Sequence, residues 1–402
     1  MKHFKNFVVF MLSIFMLSFP LLSVGCKNNQ ITSVTLANCA IEHEVEFGGI
    51  NIKSSIASFN ALGFDYGDSI DIDFSNGKKL TDIPYYNGYY TKPGEKLLVA
   101  YPGSDYIKVC INNGDDLWNE LDYVQGTLAA EKNSLWASLG LDQNTKATIK
   151  LAQKGKYANI QNALDINYKD DRELFSSDEI FANFRALKGG NLKEDMFYRA
   201  ASPCDNKHGR AKYVNDLIEK AQIEYIIDLA DDDAKIQGYM SKSDFYSDYF
   251  AGLYDDGQVL ALALNMNYNS DYFKTQIMSA LEYIKNHDGH KTLVHCTEGK
   301  DRTGFVCILI EALAGASYSE IKEDYMHTYF NYYAITAASD VTKAKYDTIV
   351  DCMLKPILEA ISGGQVVNDE TANWEALAKR YIKDNSAMTD ADIADLKTAI
   401  CK

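Results

Sequence analysis

The chain has 402 residues, 47% of them hydrophobic and 24% charged, values of an ordinary globular protein that is long enough for two domains. Its formal net charge of −16 argues against a nucleic-acid binder and against general attraction to anionic lipid. A site for an anionic ligand must therefore create its positive field locally.

The N-terminus has the pattern of an export signal. Two early lysines give a basic start, residues 7–22 are apolar, and small residues directly precede Cys26, as at a bacterial lipoprotein cleavage site. We predict a lipoprotein signal over 1–26 with lipidation at Cys26, followed by a tether over 27–37. The protein would then be exported and anchored in the membrane, on the outer face of the cell membrane, by this lipid. A simple cleaved signal and an uncleaved anchor are the alternatives.

Residues 38–152 have the pattern of short strands. Residues 69–74 alternate polar and apolar side chains, and Asn76-Gly77 after them is a hairpin turn signal. Glycines and prolines separate further short strands, predicted at 95–100, 106–111 and 145–151. This segment is predicted to be a small β-rich domain, a barrel or a sandwich, that binds a ligand or acts as a spacer. The polar residues 153–177 are predicted to be a linker.

Residues 178–402 alternate strands with helices instead. Strands are predicted at 223–229, 259–264 and 292–295, with helices at 211–221 and 270–286. This alternation predicts an α/β domain whose largely parallel sheet is flanked by helices. Helices are expected from about 318 to the end of the chain. The last should begin at Thr389, an N-cap with Asp392 three positions later.

The strand at 292–295 leads into the decapeptide His295 to Gly304, HCTEGKDRTG, and a helical pattern follows it. A loop that opens a helix directs backbone N–H groups inward and adds the positive end of the helix dipole, so it binds anions. The same donors stabilise a thiolate, which makes Cys296 a candidate nucleophile. Arg302, six positions later, offers a guanidinium fork for phosphate oxygens. The pattern predicts a cysteine-dependent phosphatase, and a buried cysteine beside an ordinary turn is the structural alternative.

This decapeptide resembles the signature loop of the protein tyrosine phosphatase superfamily, in the HCxxGKDRTG form of bacterial tyrosine/serine phosphatases. The similarity covers about 178–400, with looser matches at 183–190, 197–201, 227–231 and 324–326. By this resemblance Cys296 attacks phosphorus, Arg302 binds the phosphoryl oxygens, and water hydrolyses a phosphocysteine. No metal or other cofactor is implied. His295 would support the thiolate, and the phosphate would be bound by the remaining loop residues: Thr297, Glu298, Gly299, Lys300, Thr303 and Gly304.

The leaving oxygen also needs a proton donor. Many superfamily members carry this acid on a loop after the strand preceding the active one, and here that slot, 265–268, contains no acid. In myotubularin-like and related bacterial phosphatases the loop residue that corresponds to Asp301 has this role, so Asp301 is the predicted acid. Asp231 to Asp233, otherwise a solvated acidic loop, and Asp271, otherwise an N-cap, remain alternatives.

The substrate class stays open at this stage. Phosphotyrosine proteins, with dual specificity open, are the first candidates. Gly299-Lys300 resembles lipid-directed members of the superfamily, in which extra basic residues match phosphorylated inositol rings, so phosphoinositides are the second. A surface protein that binds phosphorylated ligands without turnover is a third reading, although such relatives usually lack the cysteine or the arginine. A fourth places the main function in residues 38–152.

Three other sets of residues carry weaker expectations. Cys110, Cys307 and Cys352 lie in apolar patterns and are expected to be buried small hydrophobes, while Cys39 is a candidate for a disulfide. By the resemblance, Arg199 supports the signature loop. His208 and Arg210 lie on a glycine-containing loop and are either site or surface residues.

Overall fold

The structure, a computed structural model, describes residues 34–45, 48–121, 146–242, 247–365 and 369–402. The predicted signal, Cys26 and most of the predicted tether lie outside these ranges. The barrel and the sheet described below belong to one structural unit, Val34–Lys402. Within the described ranges, no helix has the length and apolar character that crossing a membrane requires.

The first half of this unit is a closed barrel of seven strands in the order β1-β2-β6-β5-β4-β3-β7. Neighbours pair antiparallel except β4 and β5, which run parallel. The predicted hairpin is confirmed by the pairing of β3 with β4, in which Ile72 lies opposite Leu80. The strands are β1 Thr35–Glu44, β2 Gly49–Ile52, β3 Ser69–Phe74, β4 Lys79–Tyr86, β5 Lys96–Val99, β6 Ile107–Ile111 and β7 Lys146–Gln153.

Closure of the barrel encloses a continuous apolar core. The alternation predicted for residues 69–74 places Ile70, Ile72 and Phe74 inside, with Trp118 from a short helix. Two helices accompany the strands, α1 Ile56–Ala61 and α2 Leu117–Glu120. The expectation of a plain β-rich domain ahead of the second half is corrected: the segment is a closed barrel, not a sandwich, and it shares a unit with the second half.

The predicted linker contains structure of its own. Helix α3, Ala158–Leu164, is followed by a single 3-10 turn, Arg172–Leu174. Gln161 in α3 donates a hydrogen bond of 2.7 Å from its amide to Asn87 of the barrel. Ala163 and Leu164 belong to the core of the second half. The segment therefore contacts both halves of the unit.

The second half is built on a five-stranded sheet in the order β11-β10-β12-β9-β8. The strands are β8 Arg185–Ala186, β9 Phe197–Ala200, β10 Tyr225–Asp228, β11 Val259–Ala261 and β12 Thr292–His295. All neighbours are parallel except β8 with β9. The predicted parallel core is thus confirmed. His295 pairs with Asp228 on one side and Ala200 on the other, so the carboxyl ends of three strands meet where the signature loop leaves the sheet.

Helices cover the sheet, and their caps follow from the sequence. The capping box of the last helix, Thr389 with Asp392, is confirmed. The helix at 271 is capped by the Ser270 hydroxyl, so the N-cap expected of Asp271 is wrong by one residue. The helices are α4 Asp178–Phe181, α5 Ala211–Ala221, α6 Asp233–Met240, α7 Asp248–Asp255, α8 Asp271–Asn286, α9 Asp301–Leu313, α10 Tyr318–Tyr333, α11 Lys343–Ile349, α12 Lys355–Ile361, α13 Trp374–Asn385 and α14 Asp390–Ile400, with a π-turn at Val350–Leu354.

Helix α9 is buried on all sides from Thr303 to Leu313. Its sequence is apolar around the whole circumference, as expected of a helix in the core of a domain. From Thr303 onward this helix is therefore held by packing on every face. Because the signature loop runs directly into this packed helix, the position of its C-terminal end is fixed.

Candidate active site

The signature loop connects the buried strand β12 to helix α9, as predicted, although the helix already begins at Asp301, within the decapeptide. Cys296 is the first residue after the strand and is only 3% exposed. The first N–H groups of α9 have no acceptor within the helix. The nucleophile candidate thus lies beside a helix N-terminus, at the carboxyl end of a central strand.

Four successive carbonyl groups of the loop are bonded from outside it. In a trans peptide unit the N–H points away from the C=O, so the N–H groups that follow these carbonyls face the inside of the loop. Such a ring of N–H groups is a cradle for an anion. The donors are Ser202 N to Thr297 O at 3.2 Å, Tyr332 Oη to Glu298 O at 2.8 Å, Asn183 Nδ2 to Gly299 O at 3.2 Å, and Arg199 Nη2 to Gly299 O at 2.8 Å and to Lys300 O at 3.2 Å.

Gly299 is required by the shape of the loop. Its φ is +64°, a left-handed conformation that favours glycine. A Cβ at this position would also lie 2.0 Å from the carbonyl oxygen of Ala200. The glycine therefore lets the loop pass directly against the end of strand β9.

Arg302 connects the loop to a neighbouring segment of the chain. Its guanidinium donates to Leu264 O at 3.0 Å and to Thr297 Oγ1 at 3.2 Å, so it joins the loop to the segment after β11. The Thr303 hydroxyl is buried and has no hydrogen-bond partner among the described residues. Gly304 packs closely on the Tyr325 ring, since a Cβ there would lie 2.8 Å from it. Of the predicted phosphate ligands, these three residues lie in the first turn of α9.

The charges of Glu298, Lys300 and Asp301 compensate one another. Lys300 Nζ lies 3.0 Å from Glu298 Oε2 and 3.8 Å from Asp301 Oδ2. Burial opposes the ammonium charge, but the two carboxylates outweigh it and hold the pKa of Lys300 well above its ordinary value. Asp301 also accepts a hydrogen bond of 2.9 Å from Tyr325 Oη. Lys300 is therefore not the free second cation that the sequence predicted.

His295 is fully buried behind the loop, next to two carboxyl groups. Its Nε2 lies 3.8 Å from Asp228 Oδ2, and burial lowers the pKa of the imidazole to about 4. Burial also raises the pKa of Asp228 to about 7 and that of Asp231 to about 6. Asp231, expected in a solvated loop, is only 4% exposed, which corrects that expectation. Asp232, Asp233 and Asp271 are exposed at helix starts.

A buried ionic cluster supports the loop from below. Asp324 accepts from Arg185 Nε at 2.9 Å and from Arg199 Nη1, and Arg199 in turn bonds the loop carbonyls. The support role that the resemblance implies for Arg199 agrees with these contacts. Glu311 lies fully buried within α9, and neither carboxyl oxygen has a hydrogen-bond partner among the described residues. Burial raises the pKa of Glu311 well above its ordinary value. The sequence analysis did not single out Glu311, although a glutamate within an apolar helical pattern indicates a buried carboxyl group.

The predicted linker also reaches the loop. The Tyr168 hydroxyl bonds the Glu298 carboxylate, and its ring stacks on His208 with centroids 4.2 Å apart. Arg210 is buried and donates to Asp170 at 3.1 Å, with its guanidinium 4.6 Å from the Tyr332 ring centroid. Arg210 is thus a supporting residue, not a surface one. No sequence signal pointed to Tyr168, since its segment is polar and irregular.

The cysteines within the described ranges form no disulfide with one another. Cys110 and Cys307 are buried as expected, and Cys352 is half-buried. Cys39 is a free thiol here. Cys296 alone among them lies in the loop.

A family model described as the tyrosine phosphatase family matches residues 181–402, which include the whole sheet β8–β12 and the signature loop. No curated protein matches the chain. Among solved structures, the core catalytic domain of the PP-IP phosphatase SIW14 from S. cerevisiae, in complex with citrate, matches 40% of this chain and 87% of its own, at 18% identity and a TM-score of 0.24.

Proposed function

Because the chain belongs to the tyrosine phosphatase family, we propose that it hydrolyses phosphate monoesters through a phosphocysteine, with phosphotyrosine proteins as its substrates. Activity on phosphoserine and phosphothreonine as well (dual specificity) is compatible with this proposal. The observation that carries it is the loop around Cys296, whose carbonyls are bonded from outside and whose N–H groups face inward.

The chemistry follows from this geometry. The Cys296 thiolate forms a bond to phosphorus as the ester oxygen leaves, and the inward N–H groups with Arg302 bind the equatorial oxygens. Water then attacks the phosphocysteine, releases inorganic phosphate and regenerates the thiolate. His295, neutral because burial lowers the pKa of its ring to about 4, adds no charge that would attract the phosphate and serves to position Cys296.

We assign the proton donor to Asp301. Its side chain is 19% exposed, it directly precedes Arg302, and the residue lines a cleft that it shares with residues of the barrel. Asp231 is the second candidate, because burial raises its pKa to about 6, near the range that suits a general acid. Its carboxyl group, however, is buried near His295 and is only 6% exposed.

The phosphotyrosine assignment is favoured over phosphoinositides by the charges around the loop. Lys300, the residue that suggested phosphorylated inositol rings, pairs with Glu298 and Asp301. A multiply phosphorylated ring would need unpaired cations beyond Arg302. Phosphoinositide hydrolysis remains the alternative, and binding without turnover is disfavoured because Cys296 and Arg302 are both present.

Export and lipidation at Cys26 are a separate proposal, supported by the sequence of residues 1–26. Mass spectrometry of the protein from its native membrane would detect an acylated Cys26 as the first residue.

The domain borders at 38, 152 and 178 also remain predictions. Limited proteolysis between residues 153 and 177 would test them.

The activity is tested with the purified full-length protein and three substrates: p-nitrophenyl phosphate, phosphotyrosine peptides and phosphoinositides. We expect hydrolysis of the first two, and complete loss in Cys296→Ser. Cys307→Ser is the matched control, because Cys307 is an equally buried thiol on α9, outside the loop. If no substrate is hydrolysed, or if Cys296→Ser is as active as the native chain, the proposal is wrong.

A further inference from the structure

A cleft of about 660 Å³ lies between the barrel and the catalytic half. The barrel contributes Tyr89, Tyr101 and Lys108 to its walls, and the catalytic half contributes Tyr268, Asp301 and Met353. This volume is within the range of about 300–1,000 Å³ that is typical of ligand sites. The barrel thus forms one wall of a cavity that reaches the signature loop.

The cleft borders the proposed active site at Asp301. The proposed acid lines the cleft and is followed directly by Arg302, so a group attached to the scissile oxygen leaves the loop toward this side. Tyr268, which is 5% exposed, is also shared between the cleft wall and the core beneath the loop. A substrate whose phosphate occupies the loop therefore has the cleft next to its leaving group.

The lining of the cleft contains three tyrosines and two charged residues. Tyr89 and Tyr101 are 39% and 49% exposed, and their ring centroids are 5.8 Å apart. Among the lining residues that the structure describes, Lys108 is the one cation, and it pairs with Glu44 at 3.4 Å. Such walls suit an aromatic or aliphatic side chain, and they do not suit a polyanion.

The cleft also carries polar groups from the barrel. Ser104, which is exposed, and Asn113, which is half-buried, both belong to its lining. A lipid acyl chain would leave these groups without partners, which costs free energy. The N–H and C=O groups of a peptide can bond them. The lining therefore favours a peptide over a lipid tail.

We propose that this cleft is a specificity subsite in which Tyr89 and Tyr101 of the barrel hold an apolar or aromatic side chain next to the phosphotyrosine of a peptide substrate. The inference rests on the proposed phosphatase function and adds to it a role for the barrel. The barrel then selects among phosphopeptides, while the loop performs the reaction.

The test compares two phosphotyrosine peptides, one with leucine and phenylalanine beside the phosphotyrosine and one with glycine and serine there, against p-nitrophenyl phosphate. For the native full-length protein, kcat/KM should favour the apolar peptide. In Tyr89→Ala/Tyr101→Ala, the ratio of its kcat/KM to that of p-nitrophenyl phosphate should fall about tenfold. The matched control is Leu62→Ala, because Leu62 is a barrel residue, 45% exposed, outside the cleft lining. Its ratio should match that of the native protein.

The outcomes separate the subsite from the phosphatase activity. If the native protein hydrolyses p-nitrophenyl phosphate but does not distinguish the peptides, or if the double variant keeps the native ratio, the subsite is wrong and the activity stands. If the double variant instead loses activity only on a phosphoinositide, a lipid occupies the cleft and the peptide assignment is wrong. If the native protein hydrolyses nothing, both proposals fail. Thermal unfolding of both variants shows whether each is folded.

Discussion

The guanidinium of Arg199, which is completely buried, donates a hydrogen bond of 2.8 Å to the carbonyl oxygen of Gly299. It also donates to Lys300 O at 3.2 Å and pairs with Asp324, so one side chain connects two loop peptides to an anchored carboxylate. The shape of the loop therefore depends on a residue that lies outside it.

The first prediction concerns this support. Arg199→Lys keeps the charge but not the planar fork that reaches the carboxylate and the carbonyls together. We expect kcat/KM on p-nitrophenyl phosphate to fall about 10- to 100-fold, from the loss of hydrogen bonds that position the loop. Arg172→Lys is the control, since Arg172 pairs with Asp178 at 2.7 Å, outside the set of residues that bond the loop. Native kinetics in Arg199→Lys would contradict the support role.

The second prediction compares two glycines of positive φ. Gly299→Ala places a Cβ 2.0 Å from Ala200 O, whereas Gly289→Ala, at φ +86°, meets no atom within 4 Å. Both variants carry the backbone penalty of about 1–2 kcal/mol. Only Gly299→Ala should also distort the loop and abolish phosphatase activity. Urea unfolding and p-nitrophenyl phosphate assays of the pair measure the difference, and an active Gly299→Ala would show that the loop tolerates a side chain.

The third prediction concerns the pH dependence of stability at Glu311. Burial raises its pKa, so the folded protein holds a proton that the unfolded chain releases above about pH 4.5. The folded state then binds more protons, and this group's contribution to the free energy of unfolding falls by up to about 1.4 kcal/mol per pH unit above that value.

Glu311→Gln removes this titration while preserving the shape of the neutral carboxyl group. The stability of the variant relative to the native protein should therefore rise between pH 5 and 8, as measured by urea unfolding at several pH values. Glu323→Gln is the control, an exposed glutamate on α10. A stability difference that does not change with pH would mean that Glu311 is ionised in the folded protein.

The fourth prediction concerns the general acid. If Asp301 donates the proton, Asp301→Asn should lower kcat on a phosphotyrosine peptide by about 10²–10⁴-fold and remove the basic limb of the pH–rate profile. Asp231→Asn should retain that limb. If Asp231 is the acid instead, the native basic limb should lie near its raised pKa of about 6 and should disappear in Asp231→Asn.

The local elements were predictable where their pattern is contained in a short stretch. Residues 69–74 alternate cleanly and form β3, and the helix predicted at 211–221 is α5. The hairpin signal at Asn76-Gly77 predicted a partner strand for β3 but not its extent, since Asp82, at φ +58°, and Pro84 interrupt the alternation of β4. Closure of the barrel also depends on the pairing of β1 with β7, across more than a hundred residues. No local pattern specifies such a contact.

The candidate site was likewise predictable only where its residues are neighbours in the sequence. Cys296, Asp301 and Arg302 lie within seven consecutive residues and could be singled out from the sequence alone. The groups that shape the loop, such as Asn183, Arg199 and Tyr332, come from three distant elements and meet only in the folded chain. The pairing of Lys300 was missed for the same reason, because a sequence does not show which carboxylates lie beside an ammonium group.

The central claim, a phosphocysteine at residue 296, is tested most directly by trapping the intermediate. The full-length protein is mixed with p-nitrophenyl phosphate, quenched in acid within milliseconds, digested and analysed by mass spectrometry. We predict one phosphoryl group on the peptide that contains Cys296, together with a burst of p-nitrophenol, and neither signal in Cys296→Ser. Continued turnover with no phosphorylated Cys296, or with the phosphoryl group on another residue, would contradict the account.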